Sequence, residues 1–164
     1  VAAHGKAMLR TGKAAVTAMV CADLRDVGTV LAEARSVLDF SRPVGLTMVA
    51  VLHFVADPAP VAAAYLSRLA PGSCVAISHA CHEGMDEEQV RRGVEFYRNT
   101  PTPLYPRTVA EIEALFAGSE PVAPGVVEVA AWRPEPEPLD GPPRPSEPVA
   151  VSGGRFLGGV GVVR

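Results

Sequence analysis

Short runs of almost unbroken apolar residues, separated by segments with helical spacing, constrain this chain more than any other feature. Ala14–Val20 (AAVTAMV), Val44–Leu52 (VGLTMVAVL) and Cys74–Ser78 (CVAIS) carry small or β-branched side chains with little polar alternation. Runs of that length suit strands covered by helices on both faces. Between them, Val27, Val30, Leu31, Ala34 and Leu38 recur at helical spacing and form one apolar stripe. Strands that alternate with helices predict an α/β fold with a doubly wound, mostly parallel sheet. The 164 residues, 48% of them apolar, are enough for one packed domain and exclude disorder across the chain.

Local signals place the remaining elements. Val1–Arg10 reads as the end of a helix, closed by Thr11-Gly12-Lys13. Asp57-Pro58 marks a helix start with Asp57 as the cap, and the helix is expected to run to Leu69. Met85–Arg98 has Asp86, Glu87 and Glu88 early and Arg91, Arg92 and Arg98 later, which suits the helix dipole. Its buried side is expected at Val90, Val94 and Tyr97. Thr108-x-x-Glu111 is a capping box before Ile112, Leu115 and Phe116, with Gly118 as the stop. Val126–Ala131 and Leu157–Val163 are the last two strands expected. Of the 16 prolines, seven lie between Pro134 and Pro148, so residues 134–150 are expected to connect those strands without regular structure.

Several function classes drop out. The formal net charge of −3 gives neither a nucleic-acid footprint nor a polybasic membrane patch. The longest apolar run, Val44–Val55, is shorter than the ~18–20 residues that a bilayer span needs. Three cysteines without a C-x-x-C pair suit a reducing cytoplasm. The phosphate-loop pattern fails at Ala7 and Ala14, and no G-x-S-x-G elbow is present.

In open α/β sheets ligands bind outside the carboxyl ends of the strands, which makes three segments candidates. In Ala22-Asp23-Leu24-Arg25-Asp26, an acid either accepts from the exocyclic amine of a base or caps the next helix. In Val49–Val55, Ala50 permits close approach, while His53 and Phe54 offer either flat walls or core packing. In Ser78–Glu83, His79, Cys81, His82 and Glu83 could ligate a metal. No distant second pair supports this, so no metal is expected.

The ordered set ADLRD, RPVGLTMVAVLHFVAD, LAPGS before a strand ending in Ser78-His79, EVAAWRP and LGGVG resembles the actinobacterial S-adenosyl methyltransferase family. That resemblance covers His4–Gly161 and implies a class I methyltransferase fold with seven strands in the order 3-2-1-4-5-7-6, the last antiparallel. It implies S-adenosylmethionine as cofactor and a methyl acceptor, expected to be a small molecule, that no motif identifies. On that pattern Asp23 holds the adenine amine and the Leu24 backbone meets the ring. Ala50 and Val51 line the methionine and adenosine, and His53 and Phe54 wall the pocket. His53 and His79 are the candidates for a general base. The first two strands, with the glycine-rich cofactor loop, have no counterpart in these residues. Impaired methyl transfer, weak cofactor binding and self-association through open strand edges are therefore expected. A remnant that associates with a partner chain is the alternative.

Overall fold

A computed structural model describes residues 17–132 and 154–164. In chain order the elements are helix α1 (Val27–Ala34), strand β1 (Gly45–Val49), helix α2 (Pro58–Leu66), strand β2 (Cys74–Cys81), helix α3 (Glu87–Arg98), helix α4 (Val109–Ala114), and strands β3 (Ser119–Pro121), β4 (Val127–Glu128) and β5 (Arg155–Val163). The α/β alternation expected from the apolar runs is present. β1 pairs parallel with β2, while β5 runs antiparallel to β2 on one side and to β3 and β4 on the other. The order β1-β2-β5 follows the expected four-five-seven order with the last strand reversed; the expected sixth strand, Val126–Ala131, supplies β4, which pairs with β5 beside β3.

Several boundaries moved for physical reasons. Thr17–Val20, the described part of the Ala14–Val20 run, is not a strand. The Val44–Leu52 run stops as a strand at Val49, because Ala50 turns to φ +54° and Leu52–Phe54 forms a single 3-10 turn. β2 extends beyond Ser78 to Cys81, since β5 pairs with it as far as Arg155 opposite Cys81. Val126–Ala131 keeps only two strand residues before a 3-10 turn at Val129–Ala131. The expected helix end at Val1–Arg10 and the proline-rich 134–150 connection lie outside the described residues.

The helices begin where their caps dictate. Asp26 caps α1 by accepting from the Thr29 amide at 3.1 Å, and Asp86 caps α3 by accepting from Glu88 and Gln89. Thr108 and Glu111 close both halves of the capping box on α4. Thr108→Ala is expected to cost about 1 kcal/mol, measured as a lower urea midpoint at unchanged slope. Asp57 stands at the cap position of α2 but makes no side-chain cap bond. Pro60 at the third helical position has no N–H to offer, which leaves the Ala59 amide as the one cap donor, and Asp57 does not take it. α2 ends at Leu66 rather than Leu69, through the Ser67 cap.

One apolar cluster joins these elements. Leu31 of α1, Met48 of β1, Leu52, Tyr65 and Leu66 of α2, Val75 and Ile77 of β2, Leu115, Phe116 and Val163 are all buried in it. A smaller cluster gathers Cys81, Ile112 and Leu157. α3 contributes no fully buried residue, and its expected inner positions Val90, Val94 and Tyr97 are only half-buried. β1 is the end strand of the described sheet, and its Val49 is 60% exposed.

Candidate functional site

The carboxyl ends of β1 and β2 hold most of the residues that the sequence singled out. β1 leaves its last apolar residue, Val49, exposed, and Ala50 then adopts the left-handed region. A non-glycine residue there costs about 1–3 kcal/mol, so surrounding structure has to hold it. It is held by Ser78 of β2, whose Oγ accepts from the Ala50 amide at 3.0 Å. That turn projects Ala50 and Val51 outward, with Val51 38% exposed, and drives Leu52 and His53 inward.

His53 and His79 are brought together. Their rings stand 5.7 Å apart at 87°, and both are buried. His79 Nδ1 lies 2.9 Å from the Ala80 carbonyl, which a protonated Nδ1 would satisfy. His53 Nδ1 and His79 Nε2 have no hydrogen-bond partner, although the Leu52 backbone is close enough to favour a proton on His79. Burial lowers the His79 pKa despite that backbone. Burial, and secondarily the neighbouring His79, push His53 down to about 4. Both rings are therefore neutral at neutral pH. His53 also meets Phe54 and Phe156 edge-on, at 4.3 and 5.8 Å. The Tyr105 amide donates to the His53 carbonyl at 2.8 Å and ties the 100–106 turn to this end of the sheet.

Asp23 and Leu24 approach through a different route. The Tyr65 hydroxyl of α2 donates to the Leu24 carbonyl at 2.9 Å, across 41 residues of sequence. Leu24 also packs on the cluster that holds Met48 and Leu52, which flank Ala50 in the chain. Asp23 does not cap α1; Asp26 does. Instead Asp23 is exposed and takes both a backbone and a bidentate side-chain bond from Arg25. The Arg25 guanidinium holds its carboxyl down at about 2. An exposed pair of this kind is screened by solvent, so a ligand amine can compete for the carboxylate.

These residues fit an adenosine group in kind. They offer an ionised acceptor at Asp23, a tethered backbone at Leu24, and an exposed, largely apolar strip from Val49 to Val51. Phe54 sits half-buried beside that strip. Tyr65 and Ser78 were not read as site-builders from the sequence, because a hydrogen bond spanning 28 or 41 residues leaves no local pattern.

The Ser78–Glu83 segment is organised differently. His79 lies inside β2, Cys81 is buried against the Arg155 guanidinium at 3.9 Å, and the Glu83 carboxylate accepts from the Val109 amide. Among the described residues no three His, Cys, Asp or Glu side chains are grouped to hold a metal ion. No described helix is long and apolar enough to cross a membrane.

Comparison with known proteins now adds to this geometry. Two solved structures are similar over nearly the whole chain. A DUF574 family protein from Streptomyces avermitilis matches at 32% identity and a TM-score of 0.81, covering 98% of this chain and 60% of that one. A protein described as a candidate methyltransferase from Thermobifida fusca matches at 31% identity and a TM-score of 0.80, covering 100% of this chain and 59% of that one. The chain thus spans about 60% of the length of these relatives. No curated protein matches it. The S-adenosyl methyltransferase family model matches residues 1–161. The chain belongs to the S-adenosyl methyltransferase family.

Proposed function

We propose that this chain forms the adenosine-facing part of an S-adenosylmethionine-dependent methyltransferase acting on a small-molecule acceptor. The observation that carries the reading is the strained turn at Ala50, held by Ser78 at the carboxyl end of β1. Strain of this kind concentrates where a backbone is shaped for a ligand, and here it turns Ala50 and Val51 outward. When bound, the cofactor supplies a methyl group activated on a sulfonium, open to in-line displacement. The chain's own residues then orient and exclude water: Asp23 accepts from the adenine amine, Leu24 and Ala50 set the ring's position, and Phe54 closes one side. His53 serves as a neutral wall, because a group with a pKa near 4 is a poor base at neutral pH. His79 lies beneath it, fully buried, and packs rather than touching an acceptor.

Weak binding is the expected result for the 164 residues. Among the described residues no glycine-rich turn joins a strand to a helix, the element that lets a backbone approach the methionine end of the cofactor. Isothermal titration with S-adenosylmethionine should give a dissociation constant above about 100 μM, and Asp23→Ala or Ala50→Leu should abolish the residual heat. Micromolar binding that both variants leave intact would sink the assignment.

One observation favours a second reading, association with a partner chain. Val49 is exposed on β1, and that strand ends the described sheet. Unpaired strand backbone beside apolar side chains is a template for another chain. Size-exclusion chromatography separates the two: a Val49→Lys variant that turns an associated species monomeric supports association through β1. A monomeric wild-type chain removes it.

A further inference from the structure

An open cleft of about 780 Å³ lies where the loop from α1 into β1 meets the chain just past α2. Both segments lead into the amino ends of the parallel strands β1 and β2. The Ala50 turn is at the other end of β1, and its five residues span about 16 Å. Ligands of open α/β sheets bind outside the carboxyl ends, so neither the cofactor nor a methyl acceptor accounts for a cleft here. A cavity of this size holds one small molecule.

Charge sets this place apart. Of the ten arginines described, seven form ion pairs with acids, and the three that do not are Arg35, Arg42 and Arg68. Arg35 and Arg68 both line the cleft. The Arg35 guanidinium lies over the Phe40 ring, 5.8 Å from its centroid. Such stacking covers the face of the guanidinium and leaves its N–H edge for an anion. Asp39 is the one acid in the lining. Its Oδ1 accepts from the Ser41 amide at 2.9 Å and the Ser41 hydroxyl at 2.6 Å, and so is spent within its own loop. Two arginines against one acid leave the lining with a single positive charge. The neighbouring Glu33 and Arg42 lie outside the lining and cancel.

Beside these charges the lining is apolar, through Val37, Leu38 and Phe40. Leu38 continues the stripe of Val27, Val30, Leu31 and Ala34 in the sequence, but α1 ends at Ala34 and leaves Leu38 44% exposed. Phe40 is half-buried against the core cluster, which fixes its ring beside Arg35. Unpaired guanidinium groups and uncovered apolar side chains in one cleft complement a ligand that has both an anionic and an apolar part.

We propose that this cleft is a second small-molecule site and that its ligand is a monoanionic organic acid, one carboxylate on a flat apolar body. The carboxylate meets Arg35 and Arg68, whose forked donors match its two oxygens. The body lies on Leu38 and Phe40. A single positive charge in the lining suits one carboxylate rather than a dianion, and the apolar side chains favour it over a bare inorganic ion. The site is independent of the methyltransferase reading, which concerns the opposite end of β1.

The test titrates 2-naphthoate into the 164-residue chain, labelled with nitrogen-15, and follows the backbone amide signals. Its uncharged counterpart is 2-naphthamide, and acetate is the carboxylate without a body. The wild-type chain is expected to bind 2-naphthoate with a dissociation constant below about 1 mM, with the largest shifts at residues 35–41 and around Arg68. The amide and acetate should each bind about tenfold more weakly or not at all. Arg35→Gln and Arg68→Gln should each weaken 2-naphthoate about five- to tenfold without lowering the melting temperature, because both side chains are exposed and unpaired. Arg91→Gln, which removes an arginine remote in sequence and already paired with Glu88, should leave the affinity unchanged. No saturable binding, equal binding of the amide or of acetate, shifts centred away from the cleft, or an affinity indifferent to both cleft substitutions would each overturn the site.

Discussion

Replacing Gly161 by valine is expected to lower stability by about 3 kcal/mol, among the larger costs of overfilling a packed interior. Gly161 lies in β5 opposite Val75 of β2 and Pro121 of β3, so both of its neighbours are already strands. A Cβ at this position would fall inside van der Waals contact with Ser119 Oγ, 3.0 Å from Ser119 Cβ and 3.3 Å from Phe116 Cδ1. The Ser119 hydroxyl is engaged, donating to the Phe116 carbonyl at 2.7 Å, and Phe116 is buried. Neither can retreat without losing a hydrogen bond or core contacts. Gly45→Val is the control. Gly45 begins β1, and a Cβ there meets nothing within 4 Å. Valine suits a strand, so this change should be neutral or slightly stabilising. Urea denaturation of the two variants checks the pair. Equal losses would show that glycine in these strands serves something other than close approach.

The second large effect is loss of stability in mild acid. His53 is buried, and its pKa falls from 6.5 to about 4. The unfolded chain protonates this ring near 6.5, whereas the folded chain resists until about pH 4. Above pH 6.5 both states are neutral there, and the group adds no pH dependence. As pH falls from 6.5 toward 4, the unfolded state binds the extra proton and gains on the folded one. The loss from His53 alone is about 3 kcal/mol, complete near pH 4. His79 is shifted in the same direction by burial and adds to the slope. Carboxylates do not imitate this over most of the window. Asp23 and Glu88 are both held at about 2 by arginines, and so are lost only at lower pH. Urea midpoints at pH 7.5 and 5.0 should differ clearly, and His53→Phe, which keeps an aromatic ring against Phe54 and Phe156, should remove more than half of the difference. An unchanged pH slope in that variant would show that the His53 ring is not the proton acceptor.

Much of this architecture can be read from short patterns, because it depends on neighbours in sequence. The capping box at Thr108 and Glu111 needs only residues three apart, and it forms as expected. Asp86, read from the sequence only as an early acid suited to the dipole, caps α3 by accepting from amides two and three residues on. Asp57 makes no cap bond, and the missing N–H of Pro60 removes only one of its two possible donors. The strand cores also follow from composition, since Leu46–Met48 and Val75–Ile77 have little reason to face water on both sides. The candidate site was less legible. Val49–Val51 is as apolar as the strand before it, and nothing in the letters VAV marks a turn to positive φ. That turn exists because Ser78, 28 residues later, accepts the Ala50 amide.

His53 and His79 illustrate the division sharply. Each was readable as a histidine at a strand end, His53 as a base or a core packer and His79 as a base or a metal ligand. The ring-to-ring distance of 5.7 Å and the burial that neutralises both arise only when β2 lies beside the 3-10 turn after β1. The terminal glycines of LGGVG, which no local motif explained, become intelligible in the same way. β5 is flanked on both sides, and Phe116, Ser119, Val126 and Val129 occupy the space that side chains would need.

The sequence by itself determined the α/β alternation, the capping box at Thr108 and Glu111 and the family, because these depend on periodicity, adjacent residues and an ordered set of motifs. The tertiary structure alone decided the Ala50 turn, the neutral histidine pair, the Tyr65 tether on Leu24 and the close packing at Gly161. Each of these joins residues 26 to 45 positions apart, and only folding brings such partners within reach of a hydrogen bond or a van der Waals contact.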